Sequence, residues 1–152
     1  MLRITLASLA ALLATGAMHP ARAERPMSFP ELTGRDGRYA AIWTAMLFDF
    51  LPDSREGRFL HALNGPATPM QSMNLLGRRL RVGFVCEVTD CKANSVIVVV
   101  EPATGQVYAV HRRRVDVPLR YRFLGRRDKR MQAALVRQAE LTDLPPDEMC
   151  RR

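Results

Sequence analysis

Two of the three cysteines, Cys86 and Cys91, enclose Glu87, Val88, Thr89 and Asp90. Cysteines at this spacing admit three chemistries: half of a zinc site, a redox-active dithiol, or a disulfide that closes a small ring. A zinc site needs further Cys, His or carboxylate ligands. Beyond the first 23 residues the only histidines are His61 and His111, and neither lies near the pair in sequence. A redox pair normally takes the tighter C-x-x-C spacing at a helix N-terminus, where the thiolate is stabilised. This pair instead falls between a basic strand-like run, RRLRVGFV, and an apolar one, NSVIVVV. No metal or cofactor is expected.

The first residues bear on the choice through the compartment they imply. Arg3, an apolar stretch from Ile4 to Ala14, and Ala21-Arg22-Ala23 together read as a Sec signal peptide over residues 1–23 with an A-x-A cleavage site. A spanning helix would need roughly 20 apolar residues, and this run is shorter. A periplasmic mature chain starting at Glu24 is therefore expected. Export to an oxidising compartment favours pairing of Cys86 with Cys91. Cys150 is then left over, which leaves open a bridge to a second copy, as in a homodimer, or a free thiol.

A disulfide between Cys86 and Cys91 closes a ring of six residues. Chain entropy allows such a short ring only about 2 kcal/mol of stabilisation. A staple for global stability would join distant segments, whereas this one fixes the shape of its own loop. A stiff loop loses little entropy on entering a partner's cleft, so it suits a plug. Protection of a hairpin tip from unravelling fits the same spacing.

The rest of the chain must position that loop. The 152 residues carry 23 Lys and Arg against 15 Asp and Glu, a formal net charge of +8 that falls to +6 once Arg3 and Arg22 are removed. Residues 24–37, rich in Pro, Gly and charge, read as a flexible leader, and residues 38–152 as one domain. Apolar residues recur at helical spacing from Tyr39 to Leu51, with Asp36 as a cap and Pro52 as the stop. A second, short helix follows a cap at Asp53 or Ser54, with Phe59, Leu60 and Leu63 on its apolar face. Strands are then expected over 70–76, 79–86, 94–101, 106–112 and 119–124. The run Val96 to Val100 reads as a central strand covered on both faces. Met131, Ala134, Leu135 and Ala139 mark a last helix. The order of elements predicts an α+β domain: a central antiparallel sheet of about five strands packed with helices.

With these elements in view the chain resembles the Ivy family, periplasmic inhibitors of vertebrate C-type lysozyme. The resemblance runs over roughly Tyr39 to Arg112, through the two helices, the LPDSREGRF stretch, the strand entering CEVTDC, and the apolar strand and Gly-containing turn after it. Family members carry C-[KE]-P-H-[DN]-C at this place. The resemblance implies an α+β fold, no enzymatic activity, and a loop that enters the lysozyme cleft with its histidine against the catalytic carboxylates. Cys86, Glu87, Asp90 and Cys91 match that motif, while Val88 stands at the proline position and Thr89 at the histidine position. Threonine offers one hydrogen-bond donor and no charge where imidazole offers two donors and a possible charge. The inhibitory loop expected on this ground is Cys86, Glu87, Val88, Thr89, Asp90 and Cys91. Its partner would be a lysozyme, C-type or other, or a lytic transglycosylase that binds the same glycan.

The arginines support a rival reading. Arg78, Arg79 and Arg81, and Arg112, Arg113 and Arg114, form two basic clusters, with a third around Arg126 to Arg130. Guanidinium groups grip phosphates and carboxylates, so an Ivy-like scaffold binding an anionic envelope polymer is the alternative; a solvated basic surface explains the clusters equally well. No nucleic-acid module is recognisable. Enzymatic function is not expected, since G-x-S-x-G and phosphate-cradling glycine loops are absent from the sequence.

Overall fold

The computed structural model describes residues 25–91, 93–114 and 119–141. The expected signal segment 1–23 and Cys150 lie outside these residues. The elements follow in the order α1 (Phe29–Arg35), α2 (Gly37–Met46), α3 (Arg55–Ala62), β1 (Gln71–Leu75), β2 (Arg78–Cys86), β3 (Asn94–Glu101), β4 (Gln106–Arg114), β5 (Leu119–Gly125) and α4 (Lys129–Leu141). The five strands form one antiparallel meander in sequence order. The α+β expectation holds.

Strand alternation sends apolar side chains to both faces of this sheet. Val96, Val98 and Val100 of β3 pack with Val85, Val107 and Ala109 under the helical layer that contributes Phe29, Trp43, Phe59 and Leu60. Ile97 and Val99, pointing the other way, join Leu80, Tyr108 and Val110 beneath Met131 and Leu135 of α4. Every residue of β3 is buried, as a β-branched run covered on both faces requires.

The leader expected over 24–37 is corrected. Residues 29–35 are helical, and Phe29 is fully buried, edge-on to Trp43 at 5.2 Å between ring centroids. Ser28 and Glu31 form a capping box, and Pro30 occupies the first turn, where its missing N–H costs nothing. Met70 N–H donates to Met27 O at 2.8 Å, joining this segment to the start of the sheet. Pro30 and Gly37 stand at helix starts, so a stretch rich in Pro and Gly is ordered here.

Helix α2 is shorter than its periodicity implies. It begins after Asp36, whose side chain accepts from Arg38 N–H as expected, but ends at Met46 and not at Pro52. The chain turns through Phe50 N–H to Leu47 O at 2.8 Å, which buries Leu47 and Phe50 and leaves Phe48 and Asp49 outside. Ser54 caps α3 by accepting from Gly57 N–H. Leu76 and Gly77, with φ of 54° and 72°, make the tight β1–β2 turn; two positive φ values are what a two-residue type I′ hairpin demands. Among the described residues no helix is long and apolar enough to cross a membrane.

Candidate functional site

Strands β2 and β3 pair from Arg81–Val100 to Cys86–Ser95 and so carry the cysteine loop at the end of their hairpin. The Cys86–Cys91 disulfide is formed, with both cysteines buried and their Cα atoms 4.7 Å apart. Main-chain bonds close the ring from within: Glu87 N–H to Asn94 O at 3.0 Å, Asp90 N–H to Glu87 O at 3.2 Å, and Asn94 N–H to Asp90 O at 2.7 Å. From behind, Cys86 N–H donates to Pro66 O at 3.0 Å. Gly65 makes that approach possible, since a Cβ there would lie 1.6 Å from Cys86 O.

The four enclosed residues divide into two kinds. Val88 is 55% exposed and Thr89 is exposed, so the tip presents a methyl surface and one hydroxyl. Glu87 and Asp90 are turned toward the body of the protein. Arg55, in the first turn of α3, places Nη2 3.0 Å from Asp90 Oδ2 and 3.5 Å from Glu87 Oε2. Asn94 Nδ2 also donates to Glu87 Oε2 at 2.9 Å.

Behind Asn94 the contacts continue into the interior. His111 of β4 lies with Nε2 2.6 Å from Asn94 Oδ1 and Nδ1 3.0 Å from Glu56 Oε1. Arg113 Nη1 reaches the other Glu56 oxygen at 3.0 Å. Burial draws the His111 pKa down to about 4; the Glu56 carboxylate pulls it up, while Arg113 and Arg122 push it down. Beside the loop, Arg55, Glu56, Asp90, Asn94, Arg113 and Arg114 line a cavity of about 240 Å³. Among the described residues no group of three or more His, Cys, Asp or Glu is arranged to hold a metal ion.

The basic clusters do not gather into one surface. Arg78 is half-buried and donates to Glu101 at 2.5 and 2.7 Å and to Tyr108 Oη at 3.2 Å. This arginine, with the Thr104 hydroxyl second, holds the Glu101 carboxyl below its ordinary range. Arg79 and Arg81 are exposed on the opposite face of β2 and border a cavity of about 400 Å³ with Ser72 and Pro102. Arg112 is buried within β4, Arg113 is paired to Glu56, and Arg114 is exposed. Strand alternation separates neighbours in sequence onto opposite faces.

The loop is legible in the sequence; the residues behind it, Arg55, Glu56, Asn94 and His111, are not. The Ser54 cap carried the one available signal, because it sets Arg55 and Glu56 in the first helical turn. The rest depends on strand register, which aligns Ser95 with Arg112 and Asn94 with Arg113 at the loop end of the sheet.

No family model matches the chain. It is similar to an uncharacterised protein of Pseudomonas aeruginosa, 31% identical over 88 residues, which cover 58% of this chain and 53%, about half, of that protein. It is also similar to a protein of the same organism named inhibitor of vertebrate lysozyme, 28% identical over 131 residues that cover 80% of this chain and 83% of the relative.

Proposed function

We propose that this protein is an exported, non-enzymatic inhibitor that inserts the Cys86–Cys91 loop into the glycan cleft of a lysozyme. The observation that carries the reading is the loop itself. A disulfide ring stands at a hairpin end with Val88 and Thr89 exposed, and its two acids are clamped by Arg55 and Asn94. A loop ordered before binding gives up little entropy on entering a cleft. The 28% identical relative named for lysozyme inhibition supports the choice of partner class.

Within this reading Thr89 is the foremost contact. Its hydroxyl donates to a carboxylate of the target, and Val88 packs on an apolar wall beside it. Glu87 and Asp90, paired to Arg55 and Asn94, hold the ring's shape. A lytic transglycosylase offers the same glycan geometry and carboxylate chemistry, so it is the second candidate target.

Mixing the mature protein with C-type, goose-type and invertebrate-type lysozymes and with a lytic transglycosylase, and following cell-wall lysis, tests the proposal. Inhibition of at least one at micromolar protein is expected. Full lysis in every mixture overturns it.

A further inference from the structure

The contacts around His111 impose a proton count. Glu87 as a carboxylate only accepts, so the Asn94 amide must turn its Nδ2 toward it, and this leaves Oδ1 facing the histidine. At 2.6 Å from that oxygen, Nε2 must carry a hydrogen. Nδ1, 3.0 Å from the Glu56 carboxylate, must carry one as well. The arrangement is therefore that of the imidazolium ring.

Several groups act on that charge. Glu56 of α3 favours it, while Arg113 of β4 and Arg122 of β5, the cross-strand neighbour of His111, disfavour it. On the β3 side lie the neutral Asn94 and Val96. The uncharged Phe50 ring stands edge-on 6.1 Å away, and the Arg122 guanidinium lies over that ring while pairing with Asp49 at 3.5 Å. Because the ring is 1% exposed, burial is the largest influence and works against the charge.

We propose that His111 and Asn94 are positioning residues for the cysteine loop: protonation of His111 sets the orientation of the Asn94 amide, and the amide decides whether Glu87 is held. The functional part of this rests on the reading of the loop as the binding element. Glu56 is anchored by Arg113 and cannot turn away from a bare Nδ1, whereas the Asn94 amide can turn, so the proton that leaves the ring for solvent is the one on Nε2. The bare nitrogen then faces Oδ1, lone pair against lone pair. Turning the amide gives Nδ2 to the ring and Oδ1 to Glu87, which breaks the Glu87 bond. Glu87 keeps the longer side-chain contact to Arg55 and its main-chain bonds to Asn94 O and from Asp90 N–H. Below the titration of His111, Asn94 adds to the clamp on Glu87; above it, the cysteine ring is held by the disulfide, Arg55 and main-chain bonds alone.

The test needs no target enzyme, so its failure is distinct from failure of the inhibitor reading. In the mature protein, the His111 ring nitrogens, the Asn94 side-chain amide and the main-chain amides of Glu87, Val88 and Thr89 are followed by NMR against pH. One shared midpoint is expected, with Nε2 gaining its proton on the acid side. In Glu87→Gln the ring still titrates, but the loop amides lose that midpoint, because a glutamine amide accommodates either Asn94 orientation. Loop amides indifferent to the His111 midpoint overturn the proposal. Should acid unfold the protein first, the ring at neutral pH decides. Nδ1–H with Asn94 Nδ2 bonded to Nε2, or both nitrogens protonated with Glu87 held, supports it; Nε2–H with bare Nδ1 overturns it.

Discussion

Arg55 Nη2 lies 3.0 Å from Asp90 Oδ2 and so ties the first turn of α3 to the far side of a loop 35 residues away in sequence. The same nitrogen lies 3.5 Å from Glu87 Oε2, so one cation spans both acids of the ring. The disulfide holds the base of the loop, and Arg55 holds its two flanks.

Replacing Arg55 with alanine is expected to loosen the loop without unfolding the protein. The side chain is 60% exposed, so the pairs contribute at most about 1 kcal/mol to global stability. Hydrogen exchange at residues 87–90 should quicken while that of β3 is unchanged, and inhibition should weaken several-fold. Protection at 87–90 equal to wild type would show that the ring orders itself.

Reduction of the Cys86–Cys91 bond should lower stability by about 2 kcal/mol, as expected for so short a ring. Urea unfolding with and without reductant measures it. Inhibition should fall further than stability does, since a stiff plug loses its preorganisation. Potency unchanged in Cys86→Ser with Cys91→Ser places the contact surface elsewhere.

Thr89→His provides the most direct check on the contact. Imidazole brings a second donor and a charge to a carboxylate-lined cleft, and hydrogen bonds to charged groups are worth about 1.5–3 kcal/mol. Affinity for a C-type lysozyme should therefore rise roughly tenfold or more. No gain in the inhibition constant would mean that position 89 does not meet the carboxylates.

Stability should depend on pH through His111. Its pKa in the folded protein, about 4, lies below the ordinary value of 6.5. The unfolded chain therefore takes up its proton first as pH falls. The contribution is complete above about pH 6.5 and is lost between there and pH 4, on the order of 3 kcal/mol in all. Urea titrations at successive pH values read the slope. Glu101, held low chiefly by Arg78, adds a loss in the same direction at more acid pH.

Arg78→Met separates a structural arginine from a binding one. It strands Glu101, whose side chain is 9% exposed, and should cost about 2–4 kcal/mol in denaturation while leaving inhibition of the folded fraction intact. Arg79→Ser, on the exposed face, should change stability by less than about 0.5 kcal/mol.

Local chemistry by itself determined the strands, the caps and the ring. The β-branched run 94–101 has no other good home than a doubly covered strand, and β3 spans Asn94–Glu101 as read. Asp36 and Ser54 cap the helices they precede, and cysteines so close in sequence need only a turn between them to meet. The tertiary structure decided what no local period carries. Phe29 leaves the expected leader because a capped turn places it against Trp43. The helix from Gly37 stops early so that Leu47 and Phe50 can both be buried. Arg55, Glu56, Asn94 and His111 converge on the loop only through β3–β4 register and the docking of α3. Periodicity says which face a side chain takes; what it meets there is set by packing between segments far apart in the chain.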